Sequence, residues 1–453
     1  MRAAIGIRQS FAARARYAPQ YAQRCGRAVD EAVHSTRAYR AWRRHDRGSR
    51  AAVFPRLADL SALTKRDLRR HGPQGFVPYG RDLAEGLAAG EIELVATSGT
   101  TGDRVLNVWY QPWWNRSEAA SWELNSHAGR AATGDHREAI LTSPWCAGFP
   151  REEGRLTMER RTLGRFLYLC ERSDPSAWPA GLMDRMVREI NRFRPVVLEA
   201  NPSFLARLSR HIVRCRLRVV SPPLILLTYE NPSILHRRQI RAAFDSPVAS
   251  SYGSTEAGYV FMECQAGRMH QVTEACHVDF LPFAPEHGGP RLGRVLVTTF
   301  DNPWRSLVRF DTGDVVRLDG GGPCACGRAE GLTLVSVEGR TVNLTRTTEG
   351  RAVTQGEVDR ALGQVPGLVE YQVLQTGRSA YHLRYTAEEA GSGRVGQGVR
   401  DALQAVYGPG AAITVEAVRG IAPDPPGKYA LAKSVESIDP DLLLDARYAP
   451  RAS

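Results

Sequence analysis

The pattern of apolar and polar positions changes along the chain of 453 residues. Residues 1 to about 90 have helical and turn-rich patterns, with Leu60, Leu63 and Leu68 at helix-like spacing in LSALTKRDLRRH. From Ile92 onwards, the run IELVATSGTTGDRVLNVWY places a loop of Ser, Thr and Gly between two β-rich segments. This arrangement predicts a hairpin that is closed by small polar residues.

Between residues 115 and 250, helical patterns alternate with strand-sized apolar runs. GLMDRMVREINRF, PSFLARLSRHIV and LHRRQIRAAF have helical spacing, and they are separated by VVLEA and PLILLTYE. The alternation predicts βα units on a mostly parallel sheet, whose ligands bind at the carboxyl ends of the strands. From 289 to 320, GPRLGRVLVTTF and WRSLVRFDTGDVVRL alternate apolar and polar residues and predict antiparallel strands.

The last 110 or so residues have their own pattern, in the order helix, strand, strand, helix, strand. We therefore expect an α/β protein with a large N-terminal domain over residues 1–339 and a small α+β C-terminal domain over residues 340–453. The large domain combines mostly parallel sheets and helices with a β-rich subdomain. The final 15 residues are expected to form a loosely held tail.

Composition and charge exclude several classes of protein. Hydrophobic residues make up 43% and charged residues 24%, as in an ordinary globular protein. No run approaches the roughly 18 apolar residues of a membrane span. The net charge is +12, but the first 50 residues carry twelve arginines against Asp30, Glu31 and Asp46, a net of +9. The remainder carries only +3, which disfavours a nucleic-acid-binding body.

The arginine-rich start and the cysteine content bear on localisation. The start superficially resembles a transit peptide but has no signal-peptide apolar stretch, and we expect it to be an amphipathic helix that packs on the body. Eight cysteines in a chain of this length do not make a disulfide scaffold, so a reducing, cytoplasmic location is predicted.

Lysine is scarce in this chain. Of the 60 basic residues, 57 are arginine and only Lys65, Lys428 and Lys433 are lysine. Where arginine serves almost everywhere for positive charge, each remaining lysine has a raised chance of being there for its amine. Lys428 follows a Pro-Pro-Gly loop, and we predict a functional amine at that position. Lys433 lies in ALAKSV and is expected at the surface.

Three further motifs could carry chemistry, each with an ordinary structural alternative. The hydroxyls and glycines of residues 98–102 could approach a phosphate, or they could form a polar hairpin turn. Tyr252-Gly-Ser-Thr-Glu256 could stack a flat base, admit a phosphate and hold a divalent cation, or it could be a plain loop. The two acids of Asp311-Thr-Gly-Asp314 could hold paired hydroxyls such as those of a ribose, or they could cap a β-turn.

Taken together and in this order, the motifs resemble those of the adenylate-forming superfamily of acyl-CoA synthetases, luciferases and nonribosomal-peptide adenylation domains. The phenylacetate-CoA ligase branch is the most similar, through LSALTKRDLRRH, RPVVLEANPSFLARL, YGSTEAG followed by ECQAGRMH, and CACGR. The resemblance extends over nearly the whole chain. It implies that ATP activates an aryl or other small acid to an acyl-adenylate with release of pyrophosphate. The C-terminal domain then rotates as a lid, and a thiol of coenzyme A or of a carrier protein takes the acyl group.

The resemblance also implies a role for each motif residue. The phosphate loop would comprise Ser98, Gly99, Thr100, Thr101 and Gly102. Tyr252 and Gly253 would lie at the adenine, Thr255 at the α-phosphate and Glu256 at Mg²⁺. Asp314 would hold the ribose, Arg340 would contact the nucleotide near the hinge, and Lys428 would bridge the carboxylate and α-phosphate oxygens.

Two departures from the family pattern leave alternatives open. The phosphate loop usually ends in Gly-Lys-Pro but here continues with Asp103 and Arg104, and the hinge position that is usually Asp or Lys is Val342. An amide-forming ligase with an amine acceptor therefore stays open, as does a degenerate homologue that binds nucleotide without turnover. Homodimerisation is also left open.

Cysteine and histidine residues suggest a metal site apart from the nucleotide motifs. Cys264, His270, Cys324 and Cys326 supply three thiols and an imidazole, enough for tetrahedral zinc. The resembled branch pairs a Cys and a His with a CxCG motif, which implies structural zinc. Two reduced thiol pairs are the alternative, and Cys276-His277 is a competing ligand pair.

The acyl pocket is the least legible part of the sequence. Trp145, Phe149 and Tyr229 fall roughly where the resembled family lines its substrate site, and aromatic side chains there would suit a planar acid. Ordinary core packing is the alternative for all three.

Overall fold

The computed structural model describes residues 17–48, 51–97, 105–131, 135–144, 156–388, 392–424 and 428–448. The chain divides into two compact units. The first unit comprises residues 1–126, 251–336 and 440–453, and the second comprises residues 127–250 and 337–439.

Helices and strands alternate through much of the described chain. The helices are α1 Pro19–Ser35, α2 Val53–Asp59, α3 Lys65–His71, α4 Leu83–Ala88, α5 Gln111–Trp122, α6 Ser126–Ala131, α7 Ala180–Phe193, α8 Pro202–Cys215, α9 Ile234–Ala243, α10 Gln355–Leu362 and α11 Ser392–Tyr407. The strands are β1 Glu93–Ala96, β2 Leu106–Trp109, β3 Glu138–Leu141, β4 Thr162–Leu163, β5 Phe166–Tyr168, β6 Val197–Ala200, β7 Leu224–Leu227, β8 Val248–Ser254, β9 Gly258–Glu263, β10 Met269–Gln271, β11 Cys276–Pro282, β12 Leu292–Thr299, β13 Phe310–Leu318, β14 Thr333–Arg340, β15 Thr345–Arg346, β16 Ala352–Val353, β17 Leu368–Gly377, β18 Ala380–Ala387, β19 Ala412–Ala417 and β20 Ala432–Ser434.

The first unit contains a hairpin and an antiparallel sheet. Strands β1 and β2 pair antiparallel, which confirms the predicted hairpin, although residues 98–104 lie outside the described part of the chain. The sheet has the order β11-β12-β13-β14-β10-β9-β8, in which residues 251–254 of β8 pair with β9. The antiparallel pairing of β12 with β13 confirms the prediction made for residues 289–320.

Helix α1 packs one face into the core of the first unit. Tyr21, Cys25, Val29 and Val33 are buried along this face, as expected for an amphipathic helix that packs on the body. Its arginine side chains lie on the other positions. One of them, Arg24, forms ion pairs with acids of the same unit.

The leucines in LSALTKRDLRRH do not share one helix. Leu60 and Leu63 are buried between α2 and α3, and Leu63 bridges to Phe310 of β13 through backbone hydrogen bonds. Helix α3 begins at Lys65 because Thr64 and Asp67 form a reciprocal capping box. The helix-like spacing of the leucines was therefore misleading, and only Leu68 lies on a helix.

The second unit contains the predicted parallel sheet. Strands β5, β3, β6, β7 and residues 248–250 of β8 pair in parallel, and β4 pairs antiparallel with β5 at the edge. The residues of β3, β6 and β7 are buried, as in a sheet covered on both faces. The βα prediction is confirmed, and it places the loops after β6 and β7 at the carboxyl edge of this sheet.

Residues 337–439 follow the predicted order of helix, strand, strand, helix and strand. Strands β17 and β18 pair antiparallel, and β19 joins β18 in parallel. The sequence pattern missed three strands: β15 and β16, which pair antiparallel before α10, and β20, which pairs in parallel with β17 and contains Lys433. The division of the chain into domains at residue 340 stays a prediction.

The expectation of a loose C-terminal tail was wrong for residues 440–448. Leu443 and Leu444 are buried, and Ala284 N donates to Leu443 O at 2.8 Å. Asp441 also pairs with Arg294 of β12. Two apolar side chains and an ion pair hold this segment in the first unit. Within the described ranges, no helix has the length and apolarity to cross a membrane.

Candidate active site and candidate metal centre

Glu256 lies in the turn between β8 and β9, and its carboxylate is almost fully buried. Lys65, the first residue of α3, places its Nζ 3.2 Å from Glu256 Oε1. The exposed fraction is 3% for the Glu256 side chain and 30% for the Lys65 side chain. A buried carboxylate needs a compensating charge, and Lys65, whose side chain is partly exposed to solvent, supplies it.

The electrostatics keep Glu256 ionised. Burial is the largest single influence and by itself raises the pKa of this carboxyl. The charge of Lys65 and backbone hydrogen bonding together outweigh the effect of burial, so the pKa of Glu256 lies below its ordinary value. An ionised, buried carboxylate is a hard oxygen ligand of the kind that Mg²⁺ prefers.

Arg305 supports the same turn from inside the protein. Its guanidinium donates to Asn107 Oδ1 at 2.6 Å, to the carbonyl oxygen of Glu256, and at 3.5 Å to that of Thr255. Burial lowers the pKa of Arg305 to about 10, which leaves it charged at neutral pH. The guanidinium thus fixes the backbone of the Thr255-Glu256 turn.

Tyr252 and Asp314 meet on neighbouring parts of the first unit. Tyr252 Oη donates to Asp314 Oδ2 at 2.7 Å and lies 3.2 Å from Thr312 Oγ1. Next to Tyr252, a Cβ at Gly253 would lie 2.3 Å from the carbonyl oxygen of Gly258, so β8 and β9 approach too closely for a side chain there. The structure therefore brings Tyr252 and Asp314 together, and glycine is the residue that fits at position 253 between β8 and β9.

The Asp-Thr-Gly-Asp segment lies inside strand β13 and is not a free β-turn. Gly313 has φ +75°, and the register between β12 and β13 shifts beside it. Asp311 Oδ1 accepts from Gly313 N at 2.9 Å, and Arg294 Nη1 lies 3.0 Å from Asp311 Oδ2. Asp311 is thus used within the strand, while Asp314 is the acid that meets Tyr252.

Lys428 belongs to the second unit, in the segment after α11. Its backbone pairs with Asp424 in an antiparallel bridge, with Asp424 N donating to Lys428 O at 2.9 Å. Lys433 lies 2.5 Å from Asp424 Oδ1 and its side chain is only 31% exposed, so it is not the free surface residue that we expected. Asp424 is therefore connected to Lys428 by a backbone bridge and to Lys433 by an ion pair. The described residues Asp424 and Lys428 to Lys433 are called the lysine loop below.

Glu230 follows strand β7 and contacts the residue after Lys428. Glu230 Oε1 accepts from Ser203 N at 3.1 Å, and Glu230 Oε2 accepts from Tyr429 N at 3.0 Å. Burial raises the pKa of Glu230, although both amide donors and the charge of Lys428 act in the opposite direction. No sequence motif pointed to this contact.

The candidate pocket and hinge residues have mixed outcomes. Tyr229 adopts φ +71° and its Oη donates to Glu199 of β6, so it lies at the carboxyl edge of the parallel sheet. Trp145 and Phe149, like Ser98, Gly99, Thr100, Thr101 and Gly102, lie outside the described residues. Arg340 ends β14, and Val342 beside it is 73% exposed.

The four predicted zinc ligands converge in the first unit. The ligand atoms of Cys264, His270, Cys324 and Cys326 all lie within 4.8 Å of one another. Cys264 Sγ is 3.8 Å from Cys324 Sγ, which is about the spacing of two sulfurs bound tetrahedrally to one zinc. Cys326 Sγ is 3.3 Å from His270 Nε2.

Local structure explains why these residues meet. Cys264 begins a tight turn after β9 in which Gly267 N donates to Cys264 O, and His270 follows on β10. Cys324 and Cys326 lie between β13 and β14, where Gly327 N donates to Cys324 O at 2.8 Å. Because β10 pairs with β14, the two segments are neighbours. The cluster is a candidate metal centre.

The competing pair Cys276-His277 has other partners. His277 Nδ1 lies 2.9 Å from Tyr21 Oη, and His277 Nε2 lies 3.5 Å from Asp279 Oδ1. Burial raises the pKa of the Cys276 thiol well above its ordinary value. The buried Cys276 thiol and His277, which contacts Tyr21 of α1, therefore take part in the packing of α1. They are not part of the four-residue cluster.

Comparison with known proteins identifies the fold. No protein-family model matches the chain. Protein CapK of Staphylococcus aureus is 24% identical over 191 residues, which are 42% of this chain and 41% of that protein, less than half its length. The crystal structure of 2-hydroxyisobutyryl-CoA ligase in the postadenylation state with 2-HIB-AMP matches with a TM-score of 0.66 at 16% identity, covering 93% of this chain and 91% of that one.

The amide bond synthetase McbA from Marinactinospora thermotolerans is also similar in structure, with a TM-score of 0.50 at 19% identity over 75% of this chain and 67% of that one. These likenesses confirm the predicted fold class. The protein has the mixed α/β fold of an acyl-CoA ligase, with a small C-terminal α/β part.

Proposed function

We propose that the protein uses ATP to activate a small carboxylic acid as an acyl-adenylate and then transfers the acyl group to a thiol. The observation that carries this proposal is the difference in ion pairing among the three lysines. Lys65 and Lys433 are ion-paired, whereas within the described ranges no carboxylate oxygen lies within 4.0 Å of the Lys428 amine. A lysine kept in an arginine-dominated chain, with no carboxylate of the described residues at ion-pair distance, is available to a substrate.

The first step requires that negative charge be offset at the α-phosphate. A carboxylate oxygen of the acid attacks the α-phosphorus, the bond to the β-phosphate breaks, and pyrophosphate leaves with its bonding electrons. In our proposal the Lys428 ammonium binds the carboxylate and α-phosphate oxygens as charge develops on them, which stabilises the transition state electrostatically. Thr255 would contact the same phosphate from its turn.

The first unit would supply the nucleotide contacts. The Tyr252 ring would lie against the adenine and Asp314 would accept from the ribose hydroxyls, with Gly253 allowing close approach. Glu256 would hold Mg²⁺, which offsets the charge of the triphosphate, and the ionised state of its carboxylate supports that role. Residues 98–102 as the phosphate loop and Arg340 as the hinge contact remain part of the proposal.

A thiol is our preferred acceptor, from coenzyme A or from a carrier-protein phosphopantetheine. The fold is shared both with a CoA ligase and with an amide bond synthetase, so an amine acceptor is the second candidate. Incubating the protein with ATP, a panel of aryl and small aliphatic acids and each acceptor, followed by mass measurement of the products, separates thioester from amide formation. Once the panel has identified the acid, the proposed role of Tyr229 in the acyl pocket can be tested with that acid.

The decisive experiment is acid-dependent exchange of labelled pyrophosphate into ATP. Lys428→Ala should reduce exchange by about 100-fold or more, since electrostatic groups at developing charge contribute on that scale. Arg394→Ala is the matched control, because it removes an exposed cation from α11 of the same unit and should leave exchange unchanged.

Full exchange by Lys428→Ala would overturn the role of this lysine. Binding of ATP without exchange for any acid would instead favour a degenerate homologue.

A further inference from the structure

Glu230 joins two segments of the second unit that are far apart in the sequence. One carboxylate oxygen accepts from Ser203 N in the first turn of α8, and the other accepts from Tyr429 N. Both donors are backbone amides. Glu230 therefore connects the loop after β7, the start of α8 and the residue that follows Lys428.

The surroundings fix one end of this connection. Glu230 Oε1 lies at the amino end of α8, which favours a negative charge, whereas burial acts in the opposite direction and raises the pKa of the carboxyl. Asn201 caps α8 and also accepts from Ser203 N, so the helix start is fixed independently of Glu230. The carboxylate is thus held at one end by a rigid helix, and its other oxygen is directed to Tyr429.

Among the described residues, the other hydrogen bonds of the lysine loop stay within its own segment or come from β17 and α10. The backbone bridge between Asp424 and Lys428 and the pairing of Asp424 with Lys433 close the loop on its own segment. Tyr429 Oη donates to Ile421 O at 2.9 Å, again within that segment. Further along, Gln372 Nε2 donates to Ala430 O at 3.1 Å and Val373 N donates to Leu431 O at 2.9 Å, both from β17. The bond from Tyr429 N to Glu230 joins the residue next to Lys428 to the loop after β7.

We propose that Glu230 is a positioning residue, which holds Lys428 in place for acyl-adenylate formation by accepting the amide of Tyr429. This inference rests on the proposed function of Lys428. Because Lys428 serves the activation step in that proposal, loss of the Glu230 contact should slow activation. Transfer of a preformed acyl group to the thiol should remain unaffected.

The contact itself can be measured without any enzymatic activity. Hydrogen–deuterium exchange of the peptide containing Tyr429 should show a protected amide in the wild-type protein. In Glu230→Ala the amide should exchange at least about 10-fold faster, as expected when a backbone amide loses its hydrogen-bond acceptor. Glu357→Ala is the matched control, because it breaks the ion pair of Glu357 with Arg351 in the same unit and removes no partner of Tyr429.

The catalytic consequence has its own measurement. In acid-dependent pyrophosphate exchange, Glu230→Ala should lower kcat about 10-fold or more, with KM for ATP and for the acid changed less than about threefold. Glu230→Gln keeps a carbonyl oxygen that can accept from Tyr429 N and should recover most of the rate. Thioester formation from purified acyl-adenylate should be the same in all variants, including Glu357→Ala.

The outcomes are distinguishable. Unchanged protection of Tyr429 in Glu230→Ala, or faster amide exchange with an unchanged kcat, would overturn the positioning role. A wild-type protein that shows Glu230-dependent protection but no pyrophosphate exchange would support the contact and overturn the proposed function. If Glu230→Ala fails to fold, as judged by circular dichroism, Glu230→Gln tests the same points. It should then give partial protection and a partial rate.

Discussion

Lys65 Nζ lies 3.2 Å from Glu256 Oε1, and the pair joins the start of α3 to the turn between β8 and β9. Lys65→Ala should destabilise the protein by about 1–3 kcal/mol, because the nearly buried Glu256 carboxylate then loses its nearest cation. Urea unfolding measures this change. Arg47→Ala is the matched control, since its pair with Asp59 is largely exposed at the arginine and should contribute less than about 1 kcal/mol.

The double variant Lys65→Ala, Glu256→Gln should recover stability relative to Lys65→Ala alone, since no charge is left buried without a partner. Equal stability losses for Lys65→Ala and Arg47→Ala would contradict the prediction. The pKa of Glu256 is lowered on folding, so its stabilising contribution is present above its unfolded pKa. That contribution should be lost as the pH falls through the lower folded value.

Tyr252→Phe should weaken nucleotide binding more than it weakens the chemical step. The substitution removes the hydroxyl that donates to Asp314, so the carboxylate loses a partner that orients it. We expect KM for ATP to rise about 3–10-fold with kcat nearly unchanged, in steady-state kinetics of pyrophosphate exchange.

Tyr259→Phe removes a comparable tyrosine hydroxyl, which donates to Glu118 at 2.8 Å in the same unit. This control should leave KM for ATP unchanged. If both variants changed KM equally, the effect would be a general one of packing in the first unit and Asp314 would not be the acid concerned.

The Cys264, His270, Cys324 and Cys326 cluster should hold about one zinc per chain when the protein is purified without added metal. Metal analysis of Cys324→Ser, Cys326→Ser should show loss of that zinc, and its melting temperature should fall by several degrees because ligand binding contributes to folding. Cys215→Ser replaces an exposed thiol outside the cluster and should keep the metal. Equal zinc content in all three proteins would exclude the site.

Asp359 should make the stability of the protein depend on pH. Burial raises its pKa to about 6, against the bonds from Ile234 N and Tyr371 Oη. A raised folded pKa means that its stabilising contribution is complete below pH 4 and is lost as the pH rises through 6. Asp359→Asn should therefore be more stable than the wild type at pH 7 by about 1–3 kcal/mol, with little difference at pH 4.

Thermal or urea unfolding at both pH values measures the effect of Asp359. Asp401→Asn, an exposed substitution on α11, is the control and should show no such pH-dependent difference. If the free energies of unfolding of Asp359→Asn and the wild type differed by the same amount at both pH values, burial would not raise the pKa of this carboxyl.

Local pattern was sufficient for most helices and strands, and it failed where a tertiary contact decided the outcome. The spacing of Leu60 and Leu63 predicted a helix, but a capping box at Thr64 starts the helix later and Leu63 pairs with β13. The C-terminal segment was expected to form a loosely held tail. Leu443 and Leu444 nevertheless pack against the first unit.

The candidate site shows the same division. Lysine scarcity singled out Lys428, and the same argument applied to Lys65, whose partner the sequence did not reveal. No sequence motif pointed to Arg305 or Glu230. Arginine is abundant in this chain, and a single glutamate after a strand belongs to no motif.

The sequence by itself determined the order of most helices and strands, the fold class and a set of candidate cysteine and histidine ligands, because periodicity and short motifs are local properties. The tertiary structure alone decided that Lys65 neutralises Glu256, that Tyr252 donates to Asp314 and that Glu230 accepts from the residue after Lys428. Each of these contacts joins residues far apart in the chain. No spacing rule relates such positions, so only the packing of the elements that carry them brings the groups into contact.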